Sequence, residues 1–294
     1  MKCVSPIIAV SAALIVILCG CAQTGGPQNL PPATAVLNSY RIVDSTGTGC
    51  IPKNFSAHSG QTDEVVACLE ESLARKEGAR GTILAELARL LFALGESAKK
   101  HERLGWYEKG RHYAQFLCRE EPERVAGYYW LALNLCGICE LSRAGRALSL
   151  LPVIAENLEV ALAIDETYDQ GGPLRVLGRI RCKAPPWPMS EGDLKQSLNL
   201  LRTAAQIAPE NSTNHLYLAE TLLQLGETEE ACTELDRAID SKLHASSPSG
   251  LEADQEQALA LMTKCGLTLG EKAPERGKGI GRVAKETAKN EVAK

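Results

Sequence analysis

Aromatic residues are scarce in this sequence: Phe, Trp and Tyr together make up 4 % of its 294 residues. Sandwiches and barrels built from strands rely on aromatic and β-branched side chains, whereas helices that pack closely through small side chains do not. Ala and Leu dominate the composition instead. We therefore predict an all-α fold, in a chain long enough for one or two domains with a sizeable core.

The sequence also lacks the patterns of common catalytic and nucleotide-binding sites. It contains no nucleophile elbow, P-loop, dinucleotide-binding glycine fingerprint or HExxH motif. The histidines lack paired spacing: His58, His101, His112, His215 and His244. The net charge of −4 is slight, and the body of the chain has no basic run of the kind that binds nucleic acid. We predict a chain that is not an enzyme, takes no cofactor or metal, and binds no nucleic acid.

The N-terminus has the pattern of an export signal. A hydrophobic run extends from Ile7 to Leu18 with only Ser11 polar. It is too short to span a bilayer comfortably but suits the apolar region of a signal peptide. The run ends in Leu18-Cys19-Gly20-Cys21, which resembles the bacterial lipobox.

Cys21 is the predicted lipidation site, because Gly20 precedes it at −1 and Leu18 at −3. Cys19 fits less well, since Leu18 would stand at −1. Several acyl chains give stable anchoring, and Ala22 follows where an Asp would suggest inner-membrane retention. We expect a periplasm-facing lipoprotein of the outer membrane. An ordinary secretory signal with incidental cysteines is the alternative.

One pattern recurs along the chain at the same position of successive predicted helices. Leu87-Ala88 is followed by Leu94-Gly95-Glu96, and Leu218-Ala219 by Leu225-Gly226-Glu227. Leu131-Ala132 and Leu177-Gly178 occupy the same position in two further helices. Small residues at close crossings, in pairs of helices that repeat, are typical of tetratricopeptide (TPR) units. The sequence predicts a TPR-like array of about ten helices.

The predicted organisation has four parts. A signal peptide covers residues 1–20, a lipidated tether rich in Pro and Gly covers 21–60, the helical array covers 61–270, and a disordered Lys-rich tail covers 271–294. Within the array we expect Pro152 to kink or interrupt its helix and Ser190 with Asp193 to form a capping box. We also expect one long helix from Ala98 to Arg119.

The cysteines are the residues that could carry redox or metal-binding chemistry. Cys136-Gly137-Ile138-Cys139 could be a redox motif, but it lies inside a predicted helix with no strand before it. No second pair stands at zinc-binding spacing. Core packing of Cys136 and Cys139 is the simpler interpretation. Of the other cysteines, Cys50 and Cys68 are the best placed to pair in an oxidising compartment.

Four residues are candidate contacts for a ligand or partner: Tyr129, Arg175, Arg179 and Trp187. Arg175, Arg179 and Lys183 stand four apart on one helix, so they form a basic stripe that could meet a carboxylate. A solvated face is the plainer interpretation. Prolines on both sides would hold Trp187 outside the array, next to that stripe. On the helix that carries Arg175, Gly171, Gly172, Pro173 and Gly178 form a structural motif that shapes the start and the crossing of the helix.

Residues 160–240 carry a resemblance to a known family. The segment Gly171-Gly172-Pro173-Leu174-Arg175-Val176-Leu177-Gly178, a proline-rich loop and Gly192-Asp193 resemble the TatT family, the TPR-type T components of TRAP transporters. The resemblance implies an outer-membrane-anchored lipoprotein, trimeric, which pairs with a periplasmic solute-binding protein. The cysteine content and the Lys-rich end depart from that family.

Three functions follow in order of preference. The first is a TRAP-system lipoprotein that binds a solute-binding protein and helps to deliver a small organic solute, hydrophobic or a carboxylate. The second is a TPR scaffold lipoprotein for envelope or pilus assembly. The third is a thiol oxidoreductase that uses Cys136 and Cys139.

Overall fold

The computed structural model describes residues 44–52, 55, 60–187, 189–242 and 248–269. These residues contain ten helices and no strand, which confirms the predicted all-α class. The helices are α1 (Thr62–Arg75), α2 (Arg80–Ser97), α3 (Arg103–Glu120), α4 (Val125–Glu140), α5 (Ala144–Ile164), α6 (Tyr168–Lys183), α7 (Leu194–Ile207), α8 (Ser212–Leu225), α9 (Thr228–Asp240) and α10 (Pro248–Leu269). The predicted signal peptide, Cys21, most of the tether and the Lys-rich tail lie outside the described residues.

Consecutive helices pack in pairs, which are α2 with α3, α4 with α5, α6 with α7, and α8 with α9. The first helices of successive pairs also touch, so α2, α4, α6 and α8 form one layer. Helix α10 packs on α8 and α9 and covers the C-terminal end of the described array. Because α6 lies between α4 and α8 and also contacts α5 and α7, most of its side chains are buried.

The recurring Leu-small pairs lie at the crossings of these helices. Ala88, Ala132 and Ala219 have no solvent-accessible surface, so the helices approach closely there. At the equivalent position of α6, a Cβ atom added to Gly178 would lie 2.7 Å from Leu201 Cγ on α7. Only glycine fits this crossing without a shift of α7.

Helix ends follow local rules with one correction. Gly226 ends α8 in the left-handed conformation (φ 83°), which costs glycine little. The predicted capping box that starts at Ser190 is wrong. Asp193 is the N-cap of α7, and its carboxylate accepts hydrogen bonds from the backbone N–H groups of Lys195 and Gln196 at 2.9 and 3.0 Å. Asp193 is the residue directly before the helix, where a side-chain acceptor reaches the free N–H groups.

Two predicted helix features also need correction. Helix α5 continues through Pro152 as one helix, so the predicted interruption is wrong. Pro152 is solvent-exposed, so water can hydrate the carbonyl that its missing N–H leaves unbonded. Helix α3 begins at Arg103 and not at Ala98, because residues 98–102 form the turn that returns the chain from α2.

Part of the segment that the sequence predicts as tether packs against the array. A disulfide joins Cys50 to Cys68 on α1, as the sequence suggested. Ile51 and Phe55 are buried in the same core cluster as the apolar faces of α1 and α2. The Thr46 carbonyl also accepts a hydrogen bond from Ala79 N at 2.8 Å. The second part of the predicted tether is therefore attached to the array.

Among the described helices, α5 is long and apolar enough to cross a membrane by length and composition. Its Leu151, Ile154 and Leu158 stripe belongs to the central core of the array. The outer side carries Glu156 and Glu159. The packing of α5 is that of an array helix.

Candidate functional site

Three residues near the start of α6, directly after Tyr168, have backbone angles in the left-handed region. Asp169, Gln170 and Gly171 have φ values of 49°, 59° and 78°, so the regular helix begins at Gly172 with Pro173 in its first turn. Left-handed backbone is costly for a residue with a Cβ atom. Tertiary contacts must therefore hold Asp169 and Gln170 in place.

Those contacts form a buried polar cluster between α4, α6 and α8. The Tyr129 hydroxyl donates to Asp169 Oδ2 at 2.5 Å, and Arg175 Nη2 donates to the same oxygen at 2.9 Å. Arg175 Nη1 also donates to Asn214 Oδ1 at 3.2 Å. Asn214 Nδ2 in turn donates to the Gln170 carbonyl at 3.2 Å. These four side chains hold the left-handed turn and connect three helices.

Burial shapes the electrostatics of this cluster. It raises the pKa of Tyr129 well above its ordinary value, and the Asp169 charge raises it further. Burial also raises the pKa of Asp169, while the Arg175 charge opposes that rise. Tyr129 and Arg175 are almost fully buried. Because internal partners occupy them, their position favours a structural role over direct contact with a ligand.

In the rest of the predicted basic stripe, Arg179 is buried and Lys183 is partly buried. Arg179 forms an ion pair with Glu220 of α8 and lies over the Tyr217 ring, 4.1 Å from its centroid. Lys183 Nζ is 3.1 Å from Glu220 Oε2, and its pKa is lowered to about 8 by burial and by the Arg179 charge. Gln257 of α10 donates to Glu220 Oε1 at 2.7 Å. The stripe joins α6 to α8 and α10 and is not a solvated face.

Trp187 has a different environment on the segment between α6 and α7. We call residues 184–193 the α6–α7 loop. Trp187 is 85 % exposed and Met189 is 67 % exposed, the two largest exposures among the large hydrophobic residues described. Exposed Trp and Met side chains are costly in water and are enriched at the centres of interfaces. They form the apolar tip of this loop.

Hydrogen bonds hold the base of the α6–α7 loop. Gly192 N donates to the Pro185 carbonyl at 2.9 Å, and Asp193 N donates to the Arg181 carbonyl at 2.8 Å. The buried Arg181 guanidinium donates to the Glu191 carbonyl at 3.0 Å and pairs with the Glu191 carboxylate. It also donates to Glu159 of α5 at 3.0 Å. The loop is thus fixed to the array while its tip faces solvent.

The structure brings together two of the four candidate contact residues. Tyr129 and Arg175 are hydrogen-bonded to each other at 3.3 Å, Arg179 pairs with a different acid, and Trp187 lies on the loop. Sequence reasoning missed several members of these sites: Asp169, Arg181, Met189, Asn214 and Glu220. Asp169 directly precedes the Gln170-Gly171-Gly172 turn, and Arg181 is the next basic residue of α6 after Arg179. The sequence around the glycine motif could therefore have identified both residues.

The Cys136 and Cys139 pair lies in the core of α4. Their exposures are 2 % and 1 %, and both are free thiols. Burial raises the pKa of Cys139 to about 12, opposite to the lowered pKa of reactive thiols. The pair packs as part of the central core.

The paired helices define the class of this protein as a TPR-type helical repeat. A family model described as tetratricopeptide repeat matches residues 189–247, the region from the α6–α7 loop through α9. A search of the curated proteins finds no match.

Solved structures show similar arrangements of helices. One is TTC0263, a thermophilic TPR protein of Thermus thermophilus (TM-score 0.47, 17 % identity, covering 69 % of this chain and 91 % of that chain). Another is a double mutant of MamA RS-1 (TM-score 0.42, 16 % identity, covering 62 % of this chain and 85 % of that chain). A third is yeast Tom70 (TM-score 0.43, 13 % identity, covering 74 % of this chain and 46 % of that chain).

Proposed function

We propose that this chain is a periplasm-facing, outer-membrane-anchored lipoprotein of a TRAP-type transport system. Cys21 carries the lipid, and the array binds a periplasmic solute-binding protein, so that a small organic solute is handed over between them. The protein binds its partner and catalyses no reaction. A homotrimer is the assembly that the family resemblance implies.

The α6–α7 loop is the observation that supports this proposal best. Trp is among the residues most enriched at interface hot spots, and here it stands on a backbone that Arg181 already holds. Little conformational entropy is lost when such a loop binds, because it is ordered beforehand. TPR-type arrays generally mediate protein–protein interactions, and a partner protein is the natural occupant of this tip.

The geometry favours a protein contact at Trp187 over a solute contact at Tyr129 or Arg175. The latter two are engaged by Asp169 and Asn214, and a solute carboxylate would have to displace those partners. Trp187 has no such competitor, since most of its side chain faces water. A scaffold for envelope or pilus assembly would use the same loop, so only the identity of the partner separates the two functions.

The test measures binding of a purified TRAP-type solute-binding protein from the same organism. We expect Trp187→Ala to weaken binding about tenfold, the loss of roughly 1.4 kcal/mol expected of a moderate hot spot. Val153→Ala on α5 is the matched control, because Val153 is an exposed hydrophobic residue (43 %) away from the loop. If the unmodified protein does not bind, the TRAP proposal fails. If it binds and Trp187→Ala binds equally well, the loop is not the contact.

A further inference from the structure

Two free thiols lie in one apolar cluster at the C-terminal end of the array. Cys232 lies on α9 and is partly exposed, and Cys265 lies on α10 and is fully buried. Both belong to the same apolar cluster, which α7, α8, α9 and α10 share. They are the residues of interest here, because the proposed function makes no use of them.

Cys232 on α9 is close enough to Cys265 on α10 to raise the pKa of the Cys265 thiol. Cys265 Sγ is also 3.9 Å from the Thr228 carbonyl, and Thr228 is one helical turn before Cys232 on α9. The contact with Thr228 and the shared apolar cluster therefore place the Cys265 sulfur against the part of α9 that carries Cys232. A disulfide requires cysteines on neighbouring elements with Cα atoms within about 7 Å of each other, and α9 and α10 pack together at this position.

Among the side chains that the structure describes, the other hydrogen bonds that join α10 to the rest of the array come from its first half. Asp254 accepts hydrogen bonds from the Ser212 and Thr213 hydroxyls at 2.6 and 2.7 Å. Gln255 donates to the Ile239 carbonyl at 2.8 Å. Cys265 stands roughly 16 Å further along the helix at 1.5 Å per residue. A covalent bond there would fix the half of α10 that these hydrogen bonds do not reach.

We propose that Cys232 and Cys265 form a disulfide that clamps α10 onto α9 when the protein meets a disulfide donor. The donor is a thiol–disulfide oxidant, either a protein or a small disulfide. The Cys232 thiolate attacks the donor disulfide and releases one donor thiolate. The Cys265 sulfur then attacks Cys232 Sγ and releases the second. The two thiol protons end on the two donor sulfurs, which take up the two electrons.

Exposure sets the order of these steps. Cys232 is accessible to a donor, whereas Cys265 is buried and can reach only its neighbour. Burial and the contact with Cys232 also raise the pKa of Cys265 to about 12, so Cys265 reacts second. The Cys50–Cys68 disulfide at the other end of the array indicates a protein suited to an oxidising compartment. The clamp does not depend on a role in TRAP transport.

Peptide mapping tests the bond directly. The purified protein is incubated with oxidised glutathione, alkylated without reduction and digested with trypsin, which places Cys232 and Cys265 on different peptides. We expect one crosslinked peptide pair, two hydrogens lighter than the sum of the two thiol peptides. The Cys136 and Cys139 thiols, on one helix and deeply buried, are the internal control and should remain uncrosslinked. Recovery of Cys232 and Cys265 as separate alkylated or glutathionylated peptides would overturn the proposal.

Thermal unfolding tests the clamp. Closing a loop of about 30 residues should raise the melting temperature of the oxidised protein by about 5 °C over the reduced protein, after correction for Cys50–Cys68. Cys232→Ser supplies that correction, because it keeps Cys50–Cys68 and lacks the clamp. Equal shifts in the unmodified protein and in Cys232→Ser would show that a bond between Cys232 and Cys265 does not fasten α10.

Discussion

The two ends of α6 carry similar residues in opposite environments. At its start, Tyr129, Asp169 and Arg175 form a closed set of hydrogen bonds inside the protein. At its end, the chain leaves the array in the α6–α7 loop and exposes Trp187 to solvent. An aromatic residue and an arginine occur at both ends, so residue type does not decide which end is available to a partner.

The arginines show what makes the difference. Arg175 is directed inward, and its partners come from its own helix start and from α8. Arg181 is also buried, but its partners are Glu191 on the loop and Glu159 on α5. The first arginine closes the core, and the second supports a surface segment. The proposed contact surface therefore consists of an exposed tip and a separate buried support, and mutations can address each one alone.

Gly178→Leu should disrupt both the start and the end of α6, because Gly178 lies on α6 between them. Its added side chain would overlap Leu201 on α7. We expect a loss of more than about 4 kcal/mol in the free energy of unfolding, enough to unfold the repeat. Circular dichroism with denaturant titration measures it. Gly145→Leu on α5 is the matched control, since nothing lies within 4 Å of the added Cβ atom there. A stable Gly178→Leu protein would show that α6 and α7 do not need this close crossing.

Arg175→Ala should break only the start of α6. It leaves the partly buried Asp169 carboxylate without its cation, and such a change costs about 2 kcal/mol. We expect a lower melting temperature but unchanged affinity for the partner, provided that binding is measured well below the transition. Arg175→Lys keeps the charge and should lose less stability. Weaker binding at unchanged stability would instead identify Arg175 as a contact residue.

Much of the fold could be predicted because it rests on local, repeated signals. Helical periodicity and the recurring Leu-small pair identify helices that bury one face, and the number of helices follows. Such a pattern does not tell how many neighbours a helix has. Helix α6 contacts α4, α5, α7 and α8, so its polar positions meet partners far away in sequence. Glu220, which neutralises Arg179, is the clearest example.

The start of α6 is unpredictable from local sequence for a related reason. Gly171 marks a turn, but nothing in the propensities of Asp169 and Gln170 favours the left-handed region over the ordinary helical one. Bonds from Tyr129, Arg175 and Asn214 hold them there. By contrast, the exposure of Trp187 could be predicted, since its proline neighbours exclude a helix and the segment is an insertion between two recognisable repeats.

Glu191→Gln should produce a smaller effect and probes only the support of the loop. It removes the loop carboxylate that pairs with Arg181, while the Glu191 carbonyl and Glu159 still accept from the guanidinium. Because Glu191 is partly exposed, we expect less than about 1 kcal/mol of lost stability. Partner affinity should fall about threefold, less than for Trp187→Ala, because the tip is intact but less well held.

Glu159→Gln separates loop support from a general effect on Arg181. It removes the other carboxylate of the same guanidinium, but from α5 and not from the loop. We expect its affinity to match that of the unmodified protein, and we expect limited proteolysis within residues 184–193 to accelerate only in Glu191→Gln. If both variants weaken binding equally, Arg181 acts through the packing of α5 against α6. The division between an exposed tip and its own support would then have to be abandoned, since the tip would depend on the array as a whole.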